Sequence, residues 1–156
     1  MRRASRGGTA SVMASLERGQ AMTPAGGQFA VYQDSSGGAN WQSPNHVNRD
    51  GRVPTTFRGY RAMADGSEIT GLRATPVASV HTGDSRLTIA APVFWEAFPK
   101  AITLGQETCA VGILPRQSSD LHELQGGERT TFAFVLAVGD DPVSDEPLAW
   151  PSDRCY

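Results

Sequence analysis

Apolar and polar residues alternate with a period of two along much of the chain. The longest such run, "RTTFAFVLAV" (129–138), has a second face that is nearly as apolar as the first. A period of two sends alternate side chains to opposite faces of a sheet, and two apolar faces indicate a strand covered on both sides. The run therefore predicts a central strand whose core face carries Phe132, Phe134, Leu136 and Val138.

Shorter runs of the same kind predict further strands. They are "GQFAVYQ" (27–33), "TTFRGYRA" (55–62), "ATPVASV" (74–80), "SRLTIAA" (85–91) and "ETCAVGILP" (107–115). Asp65-Gly66 between two such runs predicts a hairpin turn. The segment 92–102 is the one helix candidate, and Pro99 would break it after about two turns. We expect a short helical turn or bulky loop there, anchored by Phe94, Trp95 and Phe98.

Short strands separated by turn signals about every ten residues predict an all-β fold, an antiparallel β-sandwich. We assign the sandwich to residues 27–140. Residues 1–26 read as a flexible or truncated lead-in and residues 141–156 as a tail. Both ends resemble the ends of a segment cut from a longer chain, so we expect a single domain or fragment of a larger multidomain protein.

Composition narrows the classes of partner. The chain has 156 residues, 19% of them charged, and a formal net charge of −2. A general nucleic-acid binder would need a basic face, so nucleic acid is not an expected partner. No apolar run approaches the roughly 20 residues of a membrane span, so a membrane is not expected either. Nothing in the sequence fixes the compartment.

Cysteines and histidines give little sign of a cofactor. Cys109 and Cys155 are too few for a disulfide framework, and their spacing does not favour a bond between them. His46, His81 and His122 have no recognisable zinc-ligand spacing. We therefore predict no metal in this chain from its motifs, while Ca²⁺ bound by scattered carboxylates stays open for a full-length protein.

The segment "QDSSGGANWQSPNHVNR" (33–49) combines amide groups with an aromatic ring. Sugars offer hydroxyls at their edges, which amides bind, and C–H groups on their faces, on which aromatic rings stack. Asn40, Trp41, Asn45 and His46 supply both kinds of group. The alternative is a loop whose asparagines satisfy its own backbone while Trp41 closes the end of the sandwich.

Two more segments carry polar side chains beside predicted strands. "HELQGGERT" (122–130) leads directly into the longest strand, either as a site or as an edge hairpin with a Glu–Arg pair. In "FWEAFPKA" (94–101), Lys100 would reach an acidic sugar or, more commonly, form a solvated flank. Because loops at one end of a sandwich converge, we expect loop 37–48 and segment 122–128 to lie side by side.

Four blocks of this chain, in order, resemble the YetA-like proteins, which include the exo-acting rhamnogalacturonan lyases of polysaccharide lyase family 26. The blocks are "YQDSSGGANWQSPNHVN" (32–48), "FRGYR" (57–61), "FWEAFPKAI" (94–102) and "HELQGGERT" (122–130). The resemblance implies a central β-sandwich between a small β-barrel and a C-terminal (α/α) toroid. The resemblance therefore implies that the parent protein is a polysaccharide lyase. No toroid can be built from these residues, so we expect the isolated chain to be inactive.

The resemblance also implies a chemistry, β-elimination on a galacturonate of pectic rhamnogalacturonan. A base removes the C5 proton, a cation neutralises the carboxylate, and an acid assists the leaving group. His46 or His122 matches the base by residue type, and Lys100, Arg58 or Arg61 matches the carboxylate partner, but no catalytic role is assigned. The side chains expected at the saccharide are Asn40, Trp41, Asn45, His46, Arg58, Lys100, His122, Glu123, Gln125 and Glu128.

The same residues fit other functions. The sandwich could be a structural linker that docks the toroid without touching a ligand, or a stand-alone carbohydrate-binding module without catalysis. The three classes differ in whether the isolated chain binds a saccharide. They also differ in whether removal of the Trp41 side chain would weaken saccharide binding or domain docking.

Overall fold

The structure, a computed structural model, describes residues 10–17, 21–83, 85–105, 108–123 and 126–139. Two five-stranded antiparallel sheets face each other, as the alternation predicted, with strand orders β10-β7-β6-β1-β2 and β5-β4-β3-β8-β9. The strands are β1 (Ser11–Ser15), β2 (Ala21–Met22), β3 (Phe29–Gln33), β4 (Tyr60–Ala64), β5 (Ser67–Gly71), β6 (Val77–Thr82), β7 (Ser85–Ala90), β8 (Lys100–Leu104), β9 (Cys109–Gly112) and β10 (Val135–Gly139). The predicted antiparallel β-sandwich is therefore confirmed.

The core lies between the sheets and follows from the alternation within each strand. In β3, Phe29 and Val31 are 1% exposed, while Ala30 and Tyr32, which alternate with them, are half-buried on the outer face. Val31 pairs with Ala62 on one side and Ile102 on the other, and both partners are fully buried. Residues paired across strands present their side chains on one face, so each such row adds to a continuous apolar layer.

The first strand corrects the predicted lead-in at 1–26. Residues Ser11–Ser15 form β1, which lies between β6 and β2, and its side chains Val12 and Ala14 are at most 1% exposed. Leu16, just after the strand, is equally buried. The run "SVMAS" is short and has small residues on its flanks, so its alternation is hard to see in the sequence. The sandwich therefore begins well before residue 27, and the tail 141–156 lies outside the described residues.

The last strand corrects the prediction of a central, buried strand. β10 is an edge strand, whose described partner is β7 alone. Leu136 pairs with the core residue Ile89, so the predicted inward face has the right orientation. Phe134, Leu136 and Val138 are nevertheless 49, 54 and 79% exposed, and Phe132 is half-buried. Alternation fixes which way a side chain points but not whether a second sheet covers it, so the predicted burial of this face is wrong.

The helix candidate at 92–102 forms turns rather than a helix, as the bulky-loop prediction allowed. Its Phe94 is 1% exposed within the core, and β8 begins at Lys100. Asp65 and Gly66 have φ of +50° and +79° and join β4 to β5, which confirms the predicted hairpin. Within the described residues no helix is long and apolar enough to cross a membrane.

Two glycines permit a close backbone approach where loops 34–38 and 57–59 meet residues 71–72. Gly59 has φ +83°, and a Cβ there would lie 2.0 Å from the Gly71 carbonyl oxygen. Gly37 has φ +69°, and a Cβ there would lie 2.0 Å from the Leu72 carbonyl oxygen. Both positions need glycine for its conformation and for its lack of a side chain. The backbone at the ends of β3, β4 and β5 therefore packs more closely than any other residue would allow.

We predict that Gly59→Ala destabilises the fold much more than Gly66→Ala. Both glycines have positive φ, but a Cβ at Gly66 would meet nothing within 4 Å. The Gly66 change should cost about 1 kcal/mol from conformation alone, and the Gly59 change about 3 kcal/mol or more because of the added clash. Urea denaturation of the two variants measures this. Equal losses of unfolding free energy in the two variants would show that the close backbone approach at Gly59 does not contribute to stability.

Candidate functional site

A buried polar cluster closes the end of β3, where the apolar alternation stops. Gln33 is fully buried, and its Nε2 donates to the Ser35 and Leu72 carbonyls at 2.6 and 2.9 Å. Its Oε1 accepts from the Ala74 N–H at 3.0 Å. One side chain thus satisfies three backbone groups that burial would otherwise leave unpaired. Gln33 ties the end of β3 to the segment that leads from β5 to β6.

Asp34 makes the second half of this cluster, and its carboxylate binds the loop before β4. Oδ2 accepts from the backbone N–H groups of Thr56 and Phe57 and from the Thr56 hydroxyl, and Oδ1 accepts from Tyr32 Oη at 2.7 Å. Ser35 Oγ accepts from Gly59 N–H at 2.8 Å. Burial, reinforced by the adjacent Asp34 carboxylate, raises the pKa of Tyr32, so its phenol stays protonated. Asp34 is 3% exposed and serves the architecture of the site.

A cavity of about 530 Å³ opens beside this cluster. Its walls come from the end of β3, loop 46–55, the turn before β8 and the segment that links β9 to β10. The lining residues are Tyr32, Asp34, His46, Val47, Asn48, Pro54, Thr55, Ala97, Phe98, Pro99, Ile113, Leu114, Ser118, Leu121, His122, Glu123, Glu128, Thr130 and Phe132. Loop 37–48 and segment 122–128 both contribute, so their predicted juxtaposition is confirmed.

A clasp of polar contacts joins the two walls. The Asn48 side-chain amide donates to Asp120, and Asn48 Oδ1 accepts from two N–H groups of its own loop. Arg49 donates its backbone N–H to Glu123 at 3.0 Å and also places Nε 3.4 Å from the same carboxylate. The amide of Asn48, together with the Leu121 N–H, lowers the pKa of Asp120. These contacts hold loop 46–49 against residues 120–123 and define the mouth of the cavity.

The two histidines of the cavity differ in their freedom. His122 is half-buried, and its Nε2 lies 3.0 Å from the Pro115 carbonyl oxygen. A carbonyl only accepts, so Nε2 carries the proton and Nδ1 is the basic atom of the neutral ring. His46 is exposed and ends the short 3₁₀ turn Pro44–His46. Its ring packs edge-on against the Phe98 ring, with 6.1 Å between the two ring centres. His122 is held in one tautomer, whereas His46 faces solvent with an aromatic ring behind it.

Only part of the predicted site lies at the cavity. His46, His122, Glu123 and Glu128 line it, whereas Asn40, Trp41, Asn45 and Arg58 do not. Arg58 Nε donates to the Gly37 carbonyl at 3.0 Å and so braces loop 37–48. The Arg61 Cζ lies 4.3 Å from the centre of the Phe57 ring, and its Nε lies 3.5 Å from Glu68 Oε1. Arg61 does not line the cavity. Gln125 lies outside the described residues.

Lys100 is not the solvated flank that its position after Pro99 indicated. It is 2% exposed and pairs with Gln33 across β8 and β3, so its side chain points between the sheets. Its Nζ lies 5.7 Å from the centre of the Phe132 ring, and Lys100 does not line the cavity. Burial lowers the pKa of Lys100, with partial opposition from the Glu96 carboxylate. The lysine is therefore a buried residue next to the cavity and not part of its surface.

Several cavity residues were not anticipated. Phe98, Pro99 and Phe132 supply aromatic and apolar surface, and Tyr32 and Thr55 supply polar groups. Phe132 was assigned to the core because strand alternation was extended through residues that precede β10. The apolar run "ILP" at 113–115, just after β9, was a usable signal, since its first two residues, Ile113 and Leu114, are 39 and 44% exposed at the cavity.

No cluster of three or more His, Cys, Asp or Glu side chains among the described residues is arranged to hold a metal ion. The cavity lining instead mixes aromatic and aliphatic side chains with hydrogen-bonding groups. Such a lining is typical of a small-molecule site, for which volumes of roughly 300–1,000 Å³ are usual.

We predict that Asp34→Asn lowers the free energy of unfolding by about 3 kcal/mol. Both carboxylate oxygens of Asp34 accept hydrogen bonds from N–H or hydroxyl groups. An asparagine keeps only one acceptor oxygen and places an NH₂ group, itself a donor, against the other donors. Buried donors without an acceptor are costly. Asp50→Asn is the matched control, because Asp50 is exposed in the loop. Chemical denaturation measures both, and equal stabilities would contradict a structural role for Asp34.

We predict that Thr55→Val leaves stability unchanged or raises it by up to about 1 kcal/mol. The Thr55 hydroxyl is buried at the cavity and has no hydrogen-bond partner among the described residues, so a methyl group of similar size removes a penalty. Thr56→Val is the control, because its hydroxyl contacts Asp34 at 3.3 Å. A larger loss for Thr55→Val than for Thr56→Val in thermal denaturation would contradict this.

The cavity has to be interpreted through its own chemistry. No protein-family model, curated protein or solved structure matches this chain. Two features bear on what the cavity can hold: its solvent-exposed aliphatic side chains, and the histidine, carboxylate and hydroxyl groups of the same lining.

Proposed function

We propose that this chain is a saccharide-binding β-sandwich domain and that the cavity lined by His46, Phe98 and Glu123 is its binding site. The supporting observation is the pairing of aromatic and aliphatic side chains with hydrogen-bonding groups in one cavity of about 530 Å³. A sugar offers C–H faces to the first set and hydroxyls to the second. The same site would accept one or two sugar residues at the end of a longer chain.

The parent protein that we propose is similar to the exo-rhamnogalacturonan lyases, with this chain as the central sandwich. In that setting the cavity contributes one part of a pectic saccharide cleft, and neighbouring β-barrel and (α/α) toroid domains complete it. Any requirement for Ca²⁺ would belong to that full-length protein. The order of the four blocks along the chain is what motivates this parent.

The isolated chain is expected to bind without cleaving. β-Elimination needs a cation at the galacturonate carboxylate. The lining residues include no lysine or arginine: Lys100 is buried next to the cavity, and Arg58 and Arg61 are engaged elsewhere.

A second candidate function is docking of a neighbouring domain. Leu136 and Val138 of β10, and Phe134 just before this strand, are exposed at the edge of the sheet. Edge strands with uncharged, apolar side chains are a common point of association. Replacement of Leu136 by Ser would weaken docking and leave saccharide binding intact, which separates this function from the first.

We predict that the isolated chain binds rhamnogalacturonan oligosaccharides and that His46→Ala weakens binding about five- to tenfold. The change removes one hydrogen-bonding group worth about 1 kcal/mol. His81→Ala is the matched control, because His81 is exposed on β6 and does not line the cavity. Titration calorimetry measures affinity, and absorbance of the unsaturated uronate tests for cleavage.

Two results would contradict the proposal. Equal affinity of the His46 and His81 variants would place binding outside the cavity. Turnover by the isolated chain would show that a complete lyase site is present and that a cation reaches the carboxylate without help from another domain.

A further inference from the structure

We infer that the cavity selects a neutral sugar residue and rejects a uronate, a specificity that rests on the proposed saccharide binding. Its lining includes the carboxylates of Asp34 and Glu123 and neither lysine nor arginine. A ligand carboxylate placed there would meet like charges in a partly desolvated space.

Two cations close to the cavity, Arg49 and Lys100, are already paired or buried. Arg49 lies at the mouth, but its Nε is 3.4 Å from Glu123 and its side chain is 70% exposed. That pair already satisfies one carboxylate and leaves the arginine largely in water. Lys100 is 2% exposed on the inner side of the sheet. A uronate in the cavity would therefore gain no direct ion pair.

The aliphatic side chains of the lining favour an uncharged, partly apolar ligand. Val47, Leu114 and Leu121 are 46, 44 and 72% exposed although they line a concave surface. Exposed aliphatic groups at a cavity indicate surface that a ligand can cover. A neutral sugar can place its C–H face, or a methyl substituent, on these side chains while its hydroxyls meet His46 and Thr130.

Asp120 adds a further negative charge near the mouth. Its carboxylate accepts from the Asn48 amide and the Leu121 N–H, and these contacts lower its pKa, so it is ionised at neutral pH. It does not line the cavity, but it lies on the clasp beside Glu123. Arg49 and Arg52 also lower the pKa of Asp120, so the mouth carries charges of both signs, and selection against an anion depends on the cavity lining.

The test compares two forms of the methyl glycoside of galacturonic acid. The acid form carries a free carboxylate, and the ester form carries a methyl ester in its place and is uncharged. The methyl glycoside of a neutral sugar is the third ligand. Titration calorimetry at low ionic strength should give about tenfold tighter binding of the ester than of the acid. The gap should shrink as salt is added, because the cavity is open to solvent.

Glu123→Gln is the decisive variant, because it removes one carboxylate and releases Arg49. Its affinity for the acid should rise at least severalfold relative to its affinity for the ester, so the preference for the ester should shrink. Glu68→Gln is the matched control, since Glu68 is also exposed and lies 3.5 Å from an arginine, on β5 and away from the cavity.

The outcomes separate the two proposals. Tighter binding of the ester, with rescue of acid binding in Glu123→Gln but not in Glu68→Gln, supports the inference. Equal or tighter binding of the acid by the unaltered chain overturns the inference and leaves saccharide binding standing. Binding of none of the three sugars overturns the proposed function and the inference with it.

Discussion

The hydrogen bonds of Gln33, Asp34 and Ser35 hold together the end of the sandwich that carries the cavity. These three side chains are almost completely buried, and their partners are mainly backbone groups of loops that have no regular structure. A loop can pack against a core only if its N–H and C=O groups find partners, and this cluster supplies them. Three consecutive residues thereby fix segments that begin about 20 and 40 positions later in the chain.

The cavity is a consequence of that arrangement. Asp34 fixes the loop at 56–57, and the glycines at 37 and 59 let the backbone pack against residues 71–72. Loop 46–49 then extends toward segment 120–123, where polar contacts clasp the two together. The scaffold is rigid where hydrogen bonds are buried and adaptable at the exposed clasp, which is the arrangement expected of a binding loop on a sandwich.

Alternation in the sequence was enough to predict the fold class and most strands, because a half-buried strand must alternate. It could not predict which strand lies at an edge, since that depends on partners far away in the chain, and β10 was misjudged for this reason. It also missed β1, whose run is short. At the site, two polar glycine-bearing loops were correctly expected to meet. Trp41 was chosen as the aromatic wall because it stood among amides, whereas Phe98 and Phe132 reach the cavity from segments that look structural.

Lys100 is the one lysine in the sequence, so its burial shapes the whole surface. Every other basic side chain among the 14 lysines and arginines is an arginine, whose guanidinium is inert to the reagents that acylate amines. The folded protein consequently offers no exposed lysine amine to acetylation, amine-directed cross-linking or surface coupling. Modification of Lys100 would require β8 and the Phe132 segment to separate, so the rate of its labelling would report how often this end of the sandwich opens.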